Sequence, residues 1–335
     1  MSSYIDSVRW LIGDRELYVV AEEEDFGFGF DPWDRPEELY IKYGIVNLDK
    51  PPGPTSHQVT TWVKRILGVS KTGHGGTLDP MVTGVLPVGI ERSTVVMRYI
   101  VGAPKEYVGV MHIHGDVDRD EFERVFNLFR GRIYQRPPVR SSVRRRVRTR
   151  EVYSSEILDV DGRDVLFRIE CESGFYVRKY VHDIGLVLGV GAHMTELRRV
   201  RAGPFSEDEY LSSLYDLSSA VYLWRETGDF TLMRKVIVPL EYILKIYPII
   251  VIKDSAVASI IYGAQLKAPG VLAFTNDVRR RGRVGIVTKK GELVAIAISQ
   301  YDADELSRVE RGIVTTTERV VMEKGLYPPM WRSVK

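Results

Sequence analysis

The sequence predicts an α+β protein with two folded parts, a mixed-sheet domain followed by a small all-β barrel. Three observations lead there. Between residues 44 and about 225, strand-period and helix-period segments interleave without the steady alternation of a doubly wound sheet. Beyond Tyr247-Pro248, short apolar runs at 249–252, 284–288 and 293–299 alternate with Gly and turn residues. The chain of 335 residues, 44% hydrophobic and 27% charged, holds enough apolar material for two cores.

Residues 1–43 are acidic and aromatic. Phe26, Phe28, Phe30, Pro32, Trp33 and Pro36 break any helical period after a short strand at 17–20, so this segment reads as an ordered extension. Residues 44–48, Gly-Ile-Val-Asn-Leu, form a buried strand, and Pro51, Pro52, Gly53 and Pro54 make a stiff loop. A helix follows, capped by Ser56, with Val59, Trp62, Val63, Ile66 and Leu67 as its core stripe and Gly68 at its end. A strand at 106–114 precedes a helix that buries Phe122, Val125, Phe126 and Phe129 and ends near Gly131. Val165, Phe167, Ile169 and Cys171 give a second strand period, and a helix over 177–188 turns Val181, Ile184 and Leu188 inward before Gly189. Residues 206–245 have the pattern of peripheral helices. The expected division is an extension packed on the barrel (1–43), a mixed-sheet domain (44–245), and a barrel with its tail (246–335).

The single Cys171 excludes a disulfide framework and Cys-rich metal sites, and fits a reducing, cytoplasmic setting. No apolar run reaches the roughly 20 residues that span a bilayer. The net charge of +2 hides a strong separation. Residues 14–39 carry ten acids and two arginines, whereas residues 136–150 carry seven arginines and no acid. That basic run, with Arg136, Arg140, Arg144, Arg145, Arg146, Arg148 and Arg150, suits a phosphate-binding surface whose affinity falls with salt. A second run, Arg279, Arg280, Arg281 and Arg283, fits RNA contact or a plain surface turn equally well. His112 and His114 share a strand face without a third ligand at a recognisable spacing, so neither a metal nor an organic cofactor is expected.

The densest chemistry lies at Lys71-Thr72-Gly73-His74-Gly75-Gly76-Thr77-Leu78-Asp79-Pro80, continuing to Thr83-Gly84-Val85-Leu86-Pro87. Glycines let backbone approach a ligand, and Pro80 holds Asp79 out of helical geometry. These residues suit an outward-facing carboxylate on a rigid loop, and equally an Asx turn.

Together with residues 44–56, this stretch resembles the TruB and dyskerin family of RNA pseudouridine synthases. The resemblance runs through Lys105-Glu106-Tyr107, Gln135-Arg136-Pro137-Pro138, Gly174-Phe175-Tyr176-Val177-Arg178 and Gly191-Ala192-His193-Met194 to Leu197-Arg198-Arg199. Residues from Lys253 through Tyr262-Gly263-Ala264, Pro269-Gly270 and Glu292-Leu293-Val294-Ala295 resemble a PUA domain. The arginine-rich stretch and the N-terminal extension are similar to the archaeal dyskerin-like, box H/ACA branch. Gly75, Met81 and Phe175 depart from that family's usual serine, lysine and threonine without removing a reacting group.

The resemblance implies that Asp79 is the nucleophile and Arg178 its partner. It places Tyr176 near the uracil, as a general base toward the C5 proton or as an aromatic wall. It implies that Tyr107 stacks on the flipped base, that Leu197 closes the pocket and that His74 assists flipping. Lys50, counted with the substrate-binding residues, would organise the loop beneath the site with Asp49. Implied partners are guide RNA, rRNA, tRNA and the small core proteins of an H/ACA ribonucleoprotein. Alternatives are autonomous modification of the tRNA T-loop and a non-catalytic RNA-binding scaffold. A PUA-containing methyltransferase would need a Gly-rich cofactor loop opening a helix, which the sequence does not offer.

Overall fold

Strand Asp164–Cys171 shows how the larger sheet is built: Val165, Phe167, Ile169 and Cys171 are buried, and the residues between them are not. A computed structural model describes residues 4–137, 144 and 146–330. The chain forms two compact units, one of residues 46–88 and 97–236, the other of residues 1–45, 89–96 and 237–335. The second unit is re-entered at Ile237, before Tyr247-Pro248.

The first unit is organised on a mixed sheet, as its pattern predicts. The strands run in the order Leu211–Ser212, Gly44–Lys50, Thr83–Ile90, Ala192–Ala202, Lys105–Ile113, Asp164–Cys171, Arg148–Asp161 and Gly131–Gln135. Thr83–Ile90 pairs parallel with Ala192–Ala202, and Lys105–Ile113 lies antiparallel between Ala192–Ala202 and Asp164–Cys171. Helices Arg119–Leu128 and Val177–Val187 bring Phe122, Val125, Phe126, Val181 and Ile184 into one core with Phe167.

Helix Ser56–Leu67 differs in two details from its sequence pattern. Its cap is Thr55, whose hydroxyl accepts from the Gln58 amide in a capping box. Ser56 is freed for another task, described below. Val59, Val63 and Leu67 are buried, but Trp62 stays 38% exposed because it lies at the edge of the stripe.

The second unit holds a six-stranded sheet among the described residues, ordered Leu17–Val19, Val271–Thr275, Ile249–Ile252, Arg283–Val287, Leu293–Ser299 and Thr315–Val320. The sequence pattern did not mark Val271–Thr275 or Thr315–Val320. Nor is the unit all-β: helices Tyr4–Ile12, Glu37–Lys42 and Asp254–Ile261 bury Leu11, Tyr40 and Val257.

The N-terminal segment joins this unit through strand Leu17–Val19, antiparallel to Val271–Thr275. Arg280 and Arg283 pair with Glu305 and Glu318, whereas a base of the segment, Arg35, is buried against Glu241. Glu23 does reach a base, Lys289, at 3.3 Å.

Candidate active site

The loop carrying Asp79 is fixed from several directions, all within the first unit. Ser56 Oγ donates to the Leu78 carbonyl at 3.0 Å and accepts from the Leu78 amide at 2.8 Å. Gly53 N–H donates to the Pro80 carbonyl at 2.9 Å. Lys50, fully buried, donates to the carbonyls of Pro51, Pro80 and Val82 at 2.7–2.9 Å. An ammonium has three N–H groups, so none is left for a ligand. This corrects the expectation of Lys50 as a substrate-binding residue: it sits beneath the loop. Burial lowers the Lys50 pKa, opposed by the Asp79 charge. Asp49 is held apart by both terminal nitrogens of Arg198, at 2.9 and 3.2 Å. Gly76, at φ +127, makes a turn that an L side chain would strain.

Leu78 is buried and Asp79 is exposed, so the carboxylate faces outward. Arg178 Nη2 donates to Asp79 Oδ2 at 2.7 Å across a sequence separation of 99 residues. Arg178 stands in the first turn of helix Val177–Val187, whose N-cap is Tyr176. Both backbone polar groups of Tyr176 are held by one side chain, Gln135: its Oε1 accepts from the Tyr176 amide at 2.9 Å and its Nε2 donates to the Tyr176 carbonyl at 3.1 Å. Gln135 is 1% exposed at the end of strand Gly131–Gln135. The sequence offered it only as part of a motif, because a buried glutamine has no period or spacing that announces its partner. Gln135→Ala should therefore leave both polar groups of Tyr176 without this partner and destabilise the protein by about 1–3 kcal/mol. Denaturant unfolding checks this, and an unchanged midpoint would refute it.

The sheet beside this loop supplies a face. Tyr107 pairs with Arg199 across strands and Gly109 with Leu197, which alternation places on the same side. Gly109 is required here, since a Cβ would lie 2.9 Å from Leu197 Cδ1. Tyr107 lies within the fields of Arg199 and Asp79. Burial raises the Tyr107 pKa, so the phenol stays protonated.

His74 ends strand Thr72–His74, and its Nδ1 is buried without a hydrogen-bond partner. Burial lowers its pKa, helped by the Arg199 and His57 charges. The unfolded chain thus takes up a proton at His74 near pH 6.5, before the folded protein does. The His74 contribution to stability is complete above that pH and is lost as pH falls below it. Histidine ring NMR should show His74 titrating below 6.5, and a His74 titrating at or above 6.5 would contradict this.

The basic run is divided by the structure. Arg136, Arg144 and Arg146 are exposed. Arg150 is engaged with Glu172 and the carbonyl of Gly174, and Arg148 is half-buried. Arg140 and Arg145 fall outside the described residues. The structure also joins residues that the sequence left apart: His193 lies 2.8 Å from His114, Nδ1 to Nε2, and His112 pairs with Asp164 at 2.8 Å. Among the described residues, no three potential ligands are arranged to hold a metal ion, and no helix is long and apolar enough to cross a membrane.

Comparison with known proteins matches residues 64–177 to the N-terminal domain of the TruB family pseudouridylate synthases and residues 178–245 to the tRNA pseudouridylate synthase B C-terminal domain. Residues 248–321 match the PUA domain and residues 9–60 the DKCLD domain. A probable tRNA pseudouridine synthase B of Pyrococcus abyssi is 51% identical, over 95% of this chain and 96% of its own. One from Methanopyrus kandleri is 50% identical, over 95% and 94%. Among solved structures, a chain of a Cbf5-Nop10-Gar1 complex is 48% identical with TM-score 0.88, covering 94% of this chain and 96% of that one. A chain of an H/ACA RNP bound to a substrate RNA containing 2′-deoxyuridine is 46% identical with TM-score 0.89, covering 95% and 98%.

Proposed function

This chain belongs to the TruB family of RNA pseudouridine synthases, and from that premise we propose that Asp79 is the nucleophile that isomerises uridine to pseudouridine. The observation that carries the assignment is the Arg178–Asp79 contact of 2.7 Å on a loop anchored by Ser56, Gly53 and Lys50. Arg178 directs one carboxylate oxygen and leaves the other available.

The reaction breaks the N1–C1′ bond, turns the uracil, joins C5 to C1′ and releases the C5 proton, while N1 takes up a proton in exchange. A carboxylate adds to carbon and departs again, at C6 of the base or C1′ of the sugar, without a metal. Tyr107 supplies the stacking face for the extruded uracil and Leu197 the apolar wall, contacts that offset the few kcal/mol of flipping. Tyr176, fixed by Gln135, stands near Arg178 as the group toward which the C5 proton leaves, directly or through water. His74, kept neutral by burial, serves the flipped nucleotide from the loop. Exposed Arg136, Arg144 and Arg146 contact phosphates, with Arg145 and Arg148 in the same run.

The working context is the catalytic subunit of a box H/ACA guide ribonucleoprotein in the cytoplasm. The likeness to Cbf5 in solved complexes supports it, with small core proteins as partners, and rRNA is the target this reading assigns. The names of the relatives favour tRNA as a second substrate, and the T-loop uridine is the target this reading assigns there. Tritium release from C5-labelled uridine tests both. Release with guide RNA and core proteins, and release from a T-loop transcript by the protein alone, are the expected results. RNA binding without release in either condition would leave only a scaffold.

A further inference from the structure

Arg199 is a buried cation without an anionic partner. It is 1% exposed, and among the described residues no carboxylate pairs with it. Its positive charge lowers the pKa of both Lys105 and His74. An unpaired guanidinium in an interior is destabilising, and a hydrophobic side chain of similar size would fill the space with less cost. Its hydrogen bonds show what it joins. Nε donates to the Val85 carbonyl at 2.8 Å, on strand Thr83–Ile90. Nη2 donates to the Gly76 carbonyl at 3.0 Å, three residues before Asp79. Arg199 is also the register partner of Tyr107 on the neighbouring strand.

One rigid, planar group therefore ties the backbone of the Asp79 loop and the strand that follows it to the strand position paired with the stacking tyrosine. We propose that Arg199 is a positioning residue that sets the separation between the Tyr107 ring and the Asp79 carboxylate. The inference rests on the roles proposed above for Asp79 and Tyr107. Lysine could keep the charge but not the geometry, because a single ammonium cannot reproduce a planar fork aimed at two carbonyls, one on a strand and one on the loop. The consequence is catalytic more than adhesive: a stacked base held slightly out of place still binds, but reacts slowly.

Two substitutions test this on the full chain. Arg199→Lys preserves charge, and Tyr107→Phe preserves the ring while removing the hydroxyl that interacts electrostatically with Arg199. Each is assayed by single-turnover tritium release, by RNA concentration dependence and by thermal unfolding. Expected are a fall in rate of roughly 100-fold for Arg199→Lys and roughly 10-fold for Tyr107→Phe, with half-saturating RNA concentration within about 2-fold of wild type. The double variant should be no slower than Arg199→Lys alone, since both changes break one device. Should Arg199→Lys fail to fold, Tyr107→Phe decides, because it leaves the buried charge in place. A lowered melting temperature with an unchanged rate, or effects that multiply in the double variant, would overturn the proposal. A wild type that binds RNA but releases no tritium would instead remove the premise, and the inference with it.

Discussion

Arg178→Lys leaves the protein folded and slows isomerisation by roughly 100-fold or more, with RNA affinity changed by less than about 3-fold. The pair it alters is exposed, with side-chain accessibilities of 60% for Arg178 and 58% for Asp79, so it adds little to stability. Its importance lies in direction. The guanidinium fixes the plane in which Asp79 presents its second oxygen, whereas an ammonium is a point charge that attracts without orienting. Because Tyr176 immediately precedes the same helix, the first turn positions both groups, and Gln135 holds that turn to the sheet. Single-turnover tritium release, with RNA binding measured separately, checks the prediction; a rate within about 3-fold of wild type would remove Arg178 from the mechanism.

Arg35→Ala has its large effect on stability. Arg35 is 3% exposed and Glu241 0%, and the two share hydrogen bonds of 2.9 and 2.7 Å. Glu241 also accepts from the Leu293 amide at 2.9 Å, so the pair joins the N-terminal segment to strand Leu293–Ser299. The Arg35 guanidinium lies 4.9 Å from the centre of the Tyr43 ring. Removing Arg35 strands a buried carboxylate, which costs about 3–5 kcal/mol. Replacing both partners, as Arg35→Met with Glu241→Leu, should cost less than Arg35→Ala, because one of the two buried carboxylates beside Arg35 goes with it, while Glu292, 4.0 Å from Arg35, remains. Denaturant unfolding of the full chain distinguishes the variants; an unchanged midpoint for Arg35→Ala would show that this pair does not secure the segment.

The parts legible in the sequence are those with a local signal. Alternating Val165, Phe167, Ile169 and Cys171 announced a half-buried strand, and Phe122, Val125 and Phe126 a helix face. The Gly-rich loop with Asp79-Pro80 announced a constrained carboxylate, although residue types alone left an Asx turn equally open. What stayed hidden depends on contacts remote in sequence. Lys50 and Arg199 have the composition of surface residues, yet both are buried as ties between loops and strands. Gln135 meets Tyr176 across 41 residues, and His193 meets His114 across 79. Thr55 and Ser56 are both able caps, and only the demand of Leu78 for a hydrogen-bonding partner separates them. Thr315–Val320 was missed because its polar residues show no apolar alternation, and it is a strand through its pairing with Leu293–Ser299.

The most direct measurement is tritium release, paired with quantified pseudouridine, by wild type and Asp79→Asn under the condition that supports wild-type turnover. Asparagine keeps the size of the side chain and its place on the loop but is a poor nucleophile toward carbon. The account predicts one tritium released per pseudouridine by wild type, and none by Asp79→Asn at equal RNA binding. Release by Asp79→Asn at a rate within about 10-fold of wild type would contradict it, because the carboxylate would then not be the group that attacks.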